Sequence, residues 1–244
     1  MVEGELNLLD ARLIVLDDRE AASALAAELA ALQLSRSIAR NGQASFMVSG
    51  GSSPGRMFSL LSEEKLDWEK VYIGLVDERW VDSDHPGSNE KSVRDKLLKG
   101  PASAARFLPM KTADLEPASA VASRAAAYAP HLSPLSCVLL GMGPDGHTAS
   151  WFPGSIGLEQ AMYPKDGAVI AAIDAGNTPV SGDYRHRMTL TADPICNAEA
   201  AILLIFGEDK RSALDQALTG DEKLFPVRRA IEGLGRRLSI IWAP

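Results

Sequence analysis

The chain is short of cysteine and of long apolar runs, and each shortage excludes a class of protein. Its 244 residues include only two cysteines, Cys137 and Cys196, and these form no Cys-x-x-Cys pair. We therefore expect free, buried thiols in a reducing compartment rather than a structural zinc site. No apolar run approaches the roughly 18 residues of a membrane span, and the acidic start MVEGELNLLD lacks the apolar region of a secretory signal. The sequence thus predicts a cytoplasmic protein with no membrane association.

Positive charge is also in short supply. The chain carries 25 Lys and Arg residues against 32 Asp and Glu residues, which gives a formal net charge of −7. Proteins that bind nucleic acid usually carry a basic footprint, so we expect no nucleic-acid partner. A few local cations can still bind a small anion. The four histidines (His85, His131, His147 and His186) are scattered without the spacing of metal ligands, so we expect no metal.

Short apolar runs alternate with helical segments along the chain. Most runs are apolar at nearly every position, which is typical of strands buried on both faces. The alternation predicts crossover connections and a mostly parallel central sheet flanked by helices. No repeat or shift in composition marks a boundary, so we expect one α/β domain over residues 1–244. The predicted strands are ARLIVLDD, ASFMVSG, VYIGLVDE, SCVLLGMG, AVIAAID, RMTLT, AAILLIFG and RRLSIIWAP.

The longest predicted helix is REAASALAAELAALQLSRSIAR. Its Leu25, Leu29 and Leu32 share one face at spacings of four and three residues, which indicates an amphipathic helix with these leucines on its apolar face. NEKSVRDKLLKG and EDKRSALDQALTG also have helical patterns, and a glycine ends each of them.

Ligands of such sheets bind beyond the carboxyl ends of the strands. After ASFMV comes SGGSSP, where Gly50 and Gly51 allow a tight turn and Ser53 can cap a helix that starts at Pro54. Together with Ser52, this helix N-terminus can bind an anion. An ordinary Gly-Ser turn is the alternative. The loop lacks the Gly-Lys-Ser/Thr of a nucleoside-triphosphate site.

Charged residues follow other strands. Asp77, Glu78 and Arg79 come after VYIGL, and they can form a salt bridge alone or a proton-transferring carboxylate beside a phosphate-binding cation. Arg187 precedes a predicted strand and Lys210 begins a predicted helix. Either residue can equally be a solvated surface cation.

The stretch GMGPDGHTASWFPG holds the remaining candidates. Gly141, Gly143 and Gly146 formally match the G-x-G-x-x-G of dinucleotide sites, although a Pro-Asp pair fills the centre and the motif lies past mid-chain. His147, which we expect at the start of the next helix, can exchange protons near neutral pH. Packing within the turn is the alternative role for this histidine.

Together, these motifs resemble one family. The order SGGSSP, VDERWV, HPGSN, GMGPDGHTASWFPG, RMTLT and GEDK is similar to that of the 6-phosphogluconolactonase family, which forms a larger group with glucosamine-6-phosphate deaminase/isomerase. The resemblance spans about residues 46–230. Arg79, followed by Ser88 and Asn89, favours the lactonase branch, because the deaminases typically carry a tyrosine in place of Arg79. Trp151 and Glu90 depart from the family pattern, which usually has leucine and an aromatic residue there.

The resemblance implies a single α/β domain of the Rossmann-like, deaminase/isomerase type. It also implies hydrolysis of 6-phospho-D-glucono-1,5-lactone to 6-phosphogluconate in the oxidative pentose phosphate pathway. The family requires no cofactor or metal, and the expected partner is the small sugar-phosphate lactone, with no obligate protein partner.

On this basis we expect His147 to act as the general base that activates water, since an ordinary imidazole pKa of about 6.5 suits proton exchange in both directions. Asp145 or Asp77 is expected to orient the imidazole or to bind sugar hydroxyls. A cation near the carbonyl would stabilise the oxyanion. The expected binding residues are Gly50, Gly51, Ser52 and Ser53, with the cations Arg79, Arg187 and Lys210, whose individual roles stay open.

Three alternative functions stay open on the sequence alone. An aldose–ketose isomerase or deaminase would use Asp77 to abstract a proton beside a carbonyl, with His147 assisting ring opening; Arg79 disfavours it. A sugar-phosphate-sensing regulator would need a DNA-binding segment, for which we see no basic arm. An NAD-dependent dehydrogenase depends only on the formal glycine match.

Overall fold

The computed structural model describes residues 10–176 and 178–244 and has a parallel sheet at its centre. The sheet has seven strands, and all neighbouring pairs run parallel. All five residues of the strand Ala44–Val48 are buried, as expected for a strand covered on both faces. In spatial order the strands are β1 (Arg12–Val15), β10 (Leu238–Ala243), β9 (Ala201–Phe206), β6 (Cys137–Leu140), β2 (Ala44–Val48), β3 (Val71–Leu75) and β5 (Arg106–Leu108).

A second, antiparallel sheet accompanies the central one. The sequence predicts two of its three strands, AVIAAID and RMTLT, but not that they form a separate sheet. This second sheet consists of β4 (Asp77–Arg79), β8 (His186–Leu190) and β7 (Ile170–Asp174), in that order. Arg187 therefore lies within a strand rather than before one, and it pairs with Arg79 across the ladder. This small sheet therefore brings charged residues that are distant in sequence, such as Asp77 and Arg187, close together.

Helices cover the central sheet, so the predicted fold class is confirmed. The two helices predicted from NEKSVRDKLLKG and EDKRSALDQALTG are present, but each ends before the glycine expected to stop it. The helices are α1 (Arg19–Asn41), α2 (Gly55–Leu61), α3 (Asn89–Lys96), α4 (Pro117–Tyr128), α5 (Leu158–Met162), α6 (Ala192–Cys196), α7 (Glu208–Ala217) and α8 (Val227–Leu234).

The helix α1 buries its alanines more deeply than the three leucines that share one face, of which Leu25 and Leu29 pack against the edge of the core. Asp18 caps it by accepting a hydrogen bond from the Ala21 N–H at 2.8 Å. Leu32 is 45% exposed, and the other two leucines are only half-buried. Small side chains let the helix axis approach the sheet closely, so an alanine-rich face is buried instead: Ala22, Ala26, Ala27, Ala30, Ala31 and Leu34.

Two further local predictions were wrong. The helix α2 begins at Gly55 with Pro54 as its cap, and Ser53 makes no capping hydrogen bond. No helix begins at His147. This residue lies in a loop that closes with a β-bridge between Thr148 and Trp151. Both loops take their shape from glycine-rich turns rather than from helix starts.

Both cysteines are free. Cys137 is buried within β6, and burial raises the pKa of its thiol to about 12. Cys196 is half-buried, and burial raises its pKa to about 11. Over the described ranges, no helix has the length and apolarity needed to cross a membrane. The first nine residues, which include most of the stretch judged not to be a signal, lie outside the described residues.

Candidate active site

A pocket of about 260 Å³ lies at the carboxyl ends of the central strands. Its walls come from the segment after β2, the loop after β6, the small second sheet, the start of α3 and the first turn of α7. This is where ligands bind in open α/β sheets. All the predicted site residues except Asp145 line the pocket: Gly50, Gly51, Ser52, Ser53, Asp77, Arg79, His147, Arg187 and Lys210.

Asp145 lies directly behind the pocket and holds His147. Its Oδ1 is 2.6 Å from Nδ1 of His147 and also accepts a hydrogen bond from the His147 backbone N–H at 3.2 Å. Burial alone would raise the pKa of Asp145, but the hydrogen bond to His147 and the attraction between the two groups outweigh it and lower this pKa. Because a carboxylate accepts hydrogen bonds, Nδ1 is the protonated nitrogen in the neutral form of the imidazole, and Nε2 then keeps its lone pair.

Glycine is required beside this pair. A Cβ atom at Gly143 would lie 2.3 Å from Nδ1 of His147 and 2.6 Å from Oδ1 of Asp145. Gly146 has a φ of +75°, and a Cβ there would lie 2.6 Å from Cδ1 of Phe225. Local packing therefore accounts for two of the three glycines that match the dinucleotide fingerprint.

Phe152 lies beneath both the histidine and a buried arginine. The rings of His147 and Phe152 have centroids 4.2 Å apart, and the guanidinium of Arg187 lies 5.1 Å from the same Phe152 centroid. Trp151, the departure from the family pattern, is fully buried, and its Nε1 donates to the Leu190 carbonyl of β8 at 3.0 Å. The histidine loop is thereby anchored to the strand that carries Arg187.

Arg187 is almost entirely buried beside Asp77. Its Nε donates to the Tyr184 carbonyl at 2.7 Å, and NH2 donates to the Ser181 carbonyl at 3.0 Å. The remaining nitrogen, NH1, lies 3.9 Å from Oδ2 of Asp77. Burial lowers the pKa of Arg187 to about 10, against the opposing attraction of Asp77. The group still carries its charge at neutral pH.

Asp77 is held by three neighbours. Ser150 donates its hydroxyl to Oδ2 at 2.6 Å, on the side where Arg187 lies. Asn89 donates from Nδ2 to the Asp77 backbone carbonyl at 2.8 Å and approaches Oδ1 at 3.4 Å. The structure thus brings Asp145, and not Asp77, into contact with His147.

The other two cations occupy different parts of the pocket. Lys210 points its Nζ at the hydroxyl of Ser53, 3.4 Å away, and burial together with the charge of Arg19 lowers its pKa. Arg79 donates from NH1 to the Gly87 carbonyl and lies 5.6 Å from the ring centroid of Tyr184. Its Nε is buried and has no hydrogen-bond partner in the part of the chain that the structure describes.

Ser150 and Phe152 were not among the predicted site residues, and Asn89 served only as a family marker. Ser150 and Phe152 follow the histidine in the same motif, so the motif itself was a signal for them. No spacing rule, however, connects Ser150 to Asp77 across 73 positions. Within the described ranges, no group of three or more His, Cys, Asp and Glu residues is arranged to hold a metal ion.

The fold and pocket define an α/β protein with an enzyme-like site, in which a carboxylate-bound histidine shares one cavity with three cations. The chain belongs to the family described as glucosamine-6-phosphate isomerases/6-phosphogluconolactonase, whose sequence profile matches residues 17–240. The resemblance seen in the sequence is therefore confirmed.

Individual relatives agree with this assignment. The chain is 41% identical over 225 residues to the 6-phosphogluconolactonase of Rhizobium meliloti (strain 1021), covering 91% of this chain and 94% of the relative. It is 40% identical to the 6-phosphogluconolactonase of Pseudomonas aeruginosa, covering 92% and 91%. The crystal structure of a 6-phosphogluconolactonase from Shewanella baltica OS155 superposes with a TM-score of 0.86 at 36% identity, covering 96% of this chain and 98% of that one.

Proposed function

We propose that this protein hydrolyses 6-phospho-D-glucono-1,5-lactone to 6-phosphogluconate, a step of the oxidative pentose phosphate pathway. The observation that carries the proposal is His147, which Asp145 holds from behind and which shares one pocket with Lys210 and the Gly50–Ser53 turn. The names of the relatives support the same substrate. In this proposal the protein works in the cytoplasm with a small-molecule partner alone and uses no cofactor, because hydrolysis needs only water, a base and an acid.

His147 is the proposed general base. Its Nε2 takes a proton from a water molecule as the water oxygen attacks the lactone carbonyl carbon. The bond between that carbon and the ring oxygen then breaks, and the imidazolium returns the proton to the ring oxygen, which becomes a hydroxyl. One water is consumed, and the histidine ends in its starting state. Proton transfer by a positioned histidine contributes roughly 10²–10⁴-fold to a rate.

The two carboxylates have separate roles in this mechanism. Asp145 fixes the tautomer and orientation of His147, because it holds Nδ1 at 2.6 Å. Asp77 lines the pocket without contacting the imidazole, and Ser150 and Asn89 fix its position. We therefore assign Asp77 to the sugar hydroxyls, whose O–H groups donate to a carboxylate.

The cations divide in the same way. Lys210 beside Ser53, together with Ser52 and the backbone of Gly50 and Gly51, is the proposed phosphate end. Arg187 shares Phe152 with His147, so its NH1 is the proposed donor to the carbonyl oxygen as negative charge develops there. Arg79, on the strand beside Arg187, is assigned to the substrate without a finer role.

The direct test is a lactone-hydrolysis assay on the purified protein, with spontaneous hydrolysis subtracted because such lactones open unaided. Glucosamine 6-phosphate should be assayed in parallel, since isomerases share the family. Enzyme-dependent hydrolysis with no deamination is the expected result. Turnover of the amino sugar alone would replace the proposal with the isomerase reaction.

The first prediction concerns His147→Gln. Glutamine keeps polarity and approximate size but cannot act as a base, so turnover should fall roughly 10²–10⁴-fold while product binding is retained. Background-corrected rates and binding of 6-phosphogluconate measure the two effects. Near-normal corrected turnover would reduce His147 to a loop-shaping residue and make Asp77 the leading candidate for the base.

A further inference from the structure

Asn89 lies in the pocket wall at the first position of α3 and is almost completely buried. Its backbone is fixed from below by the buried carboxylate of Glu78. Oε1 of Glu78 accepts from the Asn89 N–H at 2.7 Å, and Oε2 accepts from the Glu90 N–H at 2.8 Å. The start of α3 is therefore tied to the strand that carries Asp77.

The side-chain amide of Asn89 connects two walls of the pocket. On one side Nδ2 donates to the Asp77 carbonyl at 2.8 Å and lies 3.4 Å from Oδ1 of that carboxylate. On the other side Oδ1 packs against Gly50, where an added methyl group would lie only 2.1 Å away. This close approach explains why position 50 is a glycine, although its φ is not in the left-handed region.

The unpaired oxygen of Asn89 is the most informative detail. Oδ1 is buried and accepts no hydrogen bond from any residue that the structure describes. Leaving a buried acceptor unpaired costs free energy, so this amide is poorly explained as a contributor to stability alone. Its position between Gly50 and Asp77 suggests a role in the geometry of the pocket.

We propose that Asn89 is a positioning residue: it sets the spacing between the Gly50 turn and Asp77, and thus between the phosphate and sugar-hydroxyl ends of the pocket. The effect of Asn89 on catalysis rests on the proposed function, whereas the contact between Asn89 and Gly50 does not. Aspartate at position 89 would place a carboxylate against the carbonyl and carboxylate of Asp77, and alanine would leave the two walls without a spacer.

Steric exchange tests the contact without any substrate. Gly50→Ala should lower the thermal unfolding temperature, because the new methyl group meets Asn89. Adding Asn89→Ala removes the obstacle, so the double variant should recover part of that loss. Gly141→Ala is the matched control, since a Cβ there has no neighbour within 4 Å and Asn89→Ala should give it no recovery. Purely additive losses in the Gly50 pair would overturn the contact.

A double-mutant cycle tests the positioning role. Asn89→Ala should raise KM roughly tenfold with a smaller change in kcat, and Asn89→Asp should do at least as much. In an Asp77→Asn background the same Asn89→Ala change should have little further effect on the affinity for 6-phosphogluconate, measured as Kd. An equal loss in both backgrounds would overturn the proposal. If the wild type hydrolyses no lactone, the proposed function fails, and the steric exchange still decides the contact.

Discussion

At the scale of single residues, the pocket separates cations that the sequence could not tell apart. Lys210 lies against Ser53, while Arg187 lies between Asp77 and Phe152. All three predicted cations line one cavity, but they face different parts of it. Removing the phosphate from the substrate should therefore change the contribution of one cation to catalysis more than that of another.

Lys210→Met should show this difference. If Lys210 binds phosphate, its loss should weaken catalysis of the phosphorylated lactone by about 2 kcal/mol or more and barely change hydrolysis of plain gluconolactone. Arg187→Lys keeps the charge but loses the forked donors, so it should lower kcat/KM for both lactones alike. Measuring kcat/KM for the four combinations checks the assignment. Equal losses on both lactones for Lys210→Met would remove it from the phosphate site.

Gly143→Ala should damage the catalytic pair without removing any functional group. The added methyl group displaces His147 and Asp145, which it would otherwise meet at 2.3 Å and 2.6 Å. Misplacing a catalytic group by about 1 Å can cost roughly 10²-fold in rate. Gly141→Ala, in the same loop, should lose far less. Thermal unfolding distinguishes displacement from unfolding, and similar activity in the two variants would contradict the steric argument.

The contacts of each site residue explain whether the sequence could predict it. Most of the predicted residues that line the pocket stand directly after strands or in glycine-rich loops, so position along the chain was a sufficient signal for them. Ser150 and Asn89 hold Asp77 in place, and such contacts between segments that are distant in sequence leave no local pattern. The choice between Asp77 and Asp145 as the partner of His147 likewise needed the folded chain.

At the scale of secondary-structure elements, the core strands could be predicted and the small ones could not. Each of the eight predicted strands is present. The clearest signals come from strands such as β6 and β9, which are apolar at every position because the sheet is covered on both faces. The missed strands β4 and β5 have three residues each, too few for any periodicity, and β4 is Asp-Glu-Arg. The segment β4 is a strand because it pairs with β8, and its composition gives no sign of this.

The helix α1 shows a second limit of prediction from sequence, because a buried face made of alanines is harder to recognise than one made of leucines. Ala26→Leu should overpack the contact with the sheet and lower the free energy of unfolding by about 1–3 kcal/mol, because Ala26 is fully buried. The exposed Ala24, changed to Leu in the same way, should shift it by less than about 0.5 kcal/mol. Denaturant unfolding of both variants makes the comparison. A larger loss of stability for Ala24→Leu than for Ala26→Leu would contradict the close packing of the alanine face.

At the scale of the whole molecule, Glu78 connects stability to pH. Burial raises its pKa to about 7, although hydrogen bonds from Asn89, Glu90, Arg79 and Ser88 oppose the shift. In the unfolded chain a glutamate titrates near an ordinary value of about 4.3. Between about pH 4 and pH 7 the folded state therefore holds a proton on Glu78 that the unfolded state has released. The contribution of Glu78 to stability is full below about pH 4 and is lost as the pH rises through about 7.

Glu78→Gln should remove that dependence, because glutamine does not titrate. Between pH 5 and pH 8 the wild type should lose stability relative to the variant, by an amount on the order of 1–3 kcal/mol. Any constant cost of the amide cancels when the two pH values are compared. Denaturant unfolding at both pH values measures the difference. A gap between the two proteins that is equal at pH 5 and pH 8 would mean that the carboxylate stays ionised throughout.

The pairing of β1 with β10 sets an order of events during synthesis. Among the residues that the structure describes, the first strand has its partner, residue for residue, in the last. At roughly 5–20 residues per second on the ribosome, β1 waits on the order of ten to fifty seconds with its pairing edge open, a state that favours wrong partners. Lys210, in the first turn of α7 directly after β9, also reaches the pocket late in synthesis. The β1 pairing and the Lys210 side of the pocket should therefore form only after residues 208–243 have been synthesised.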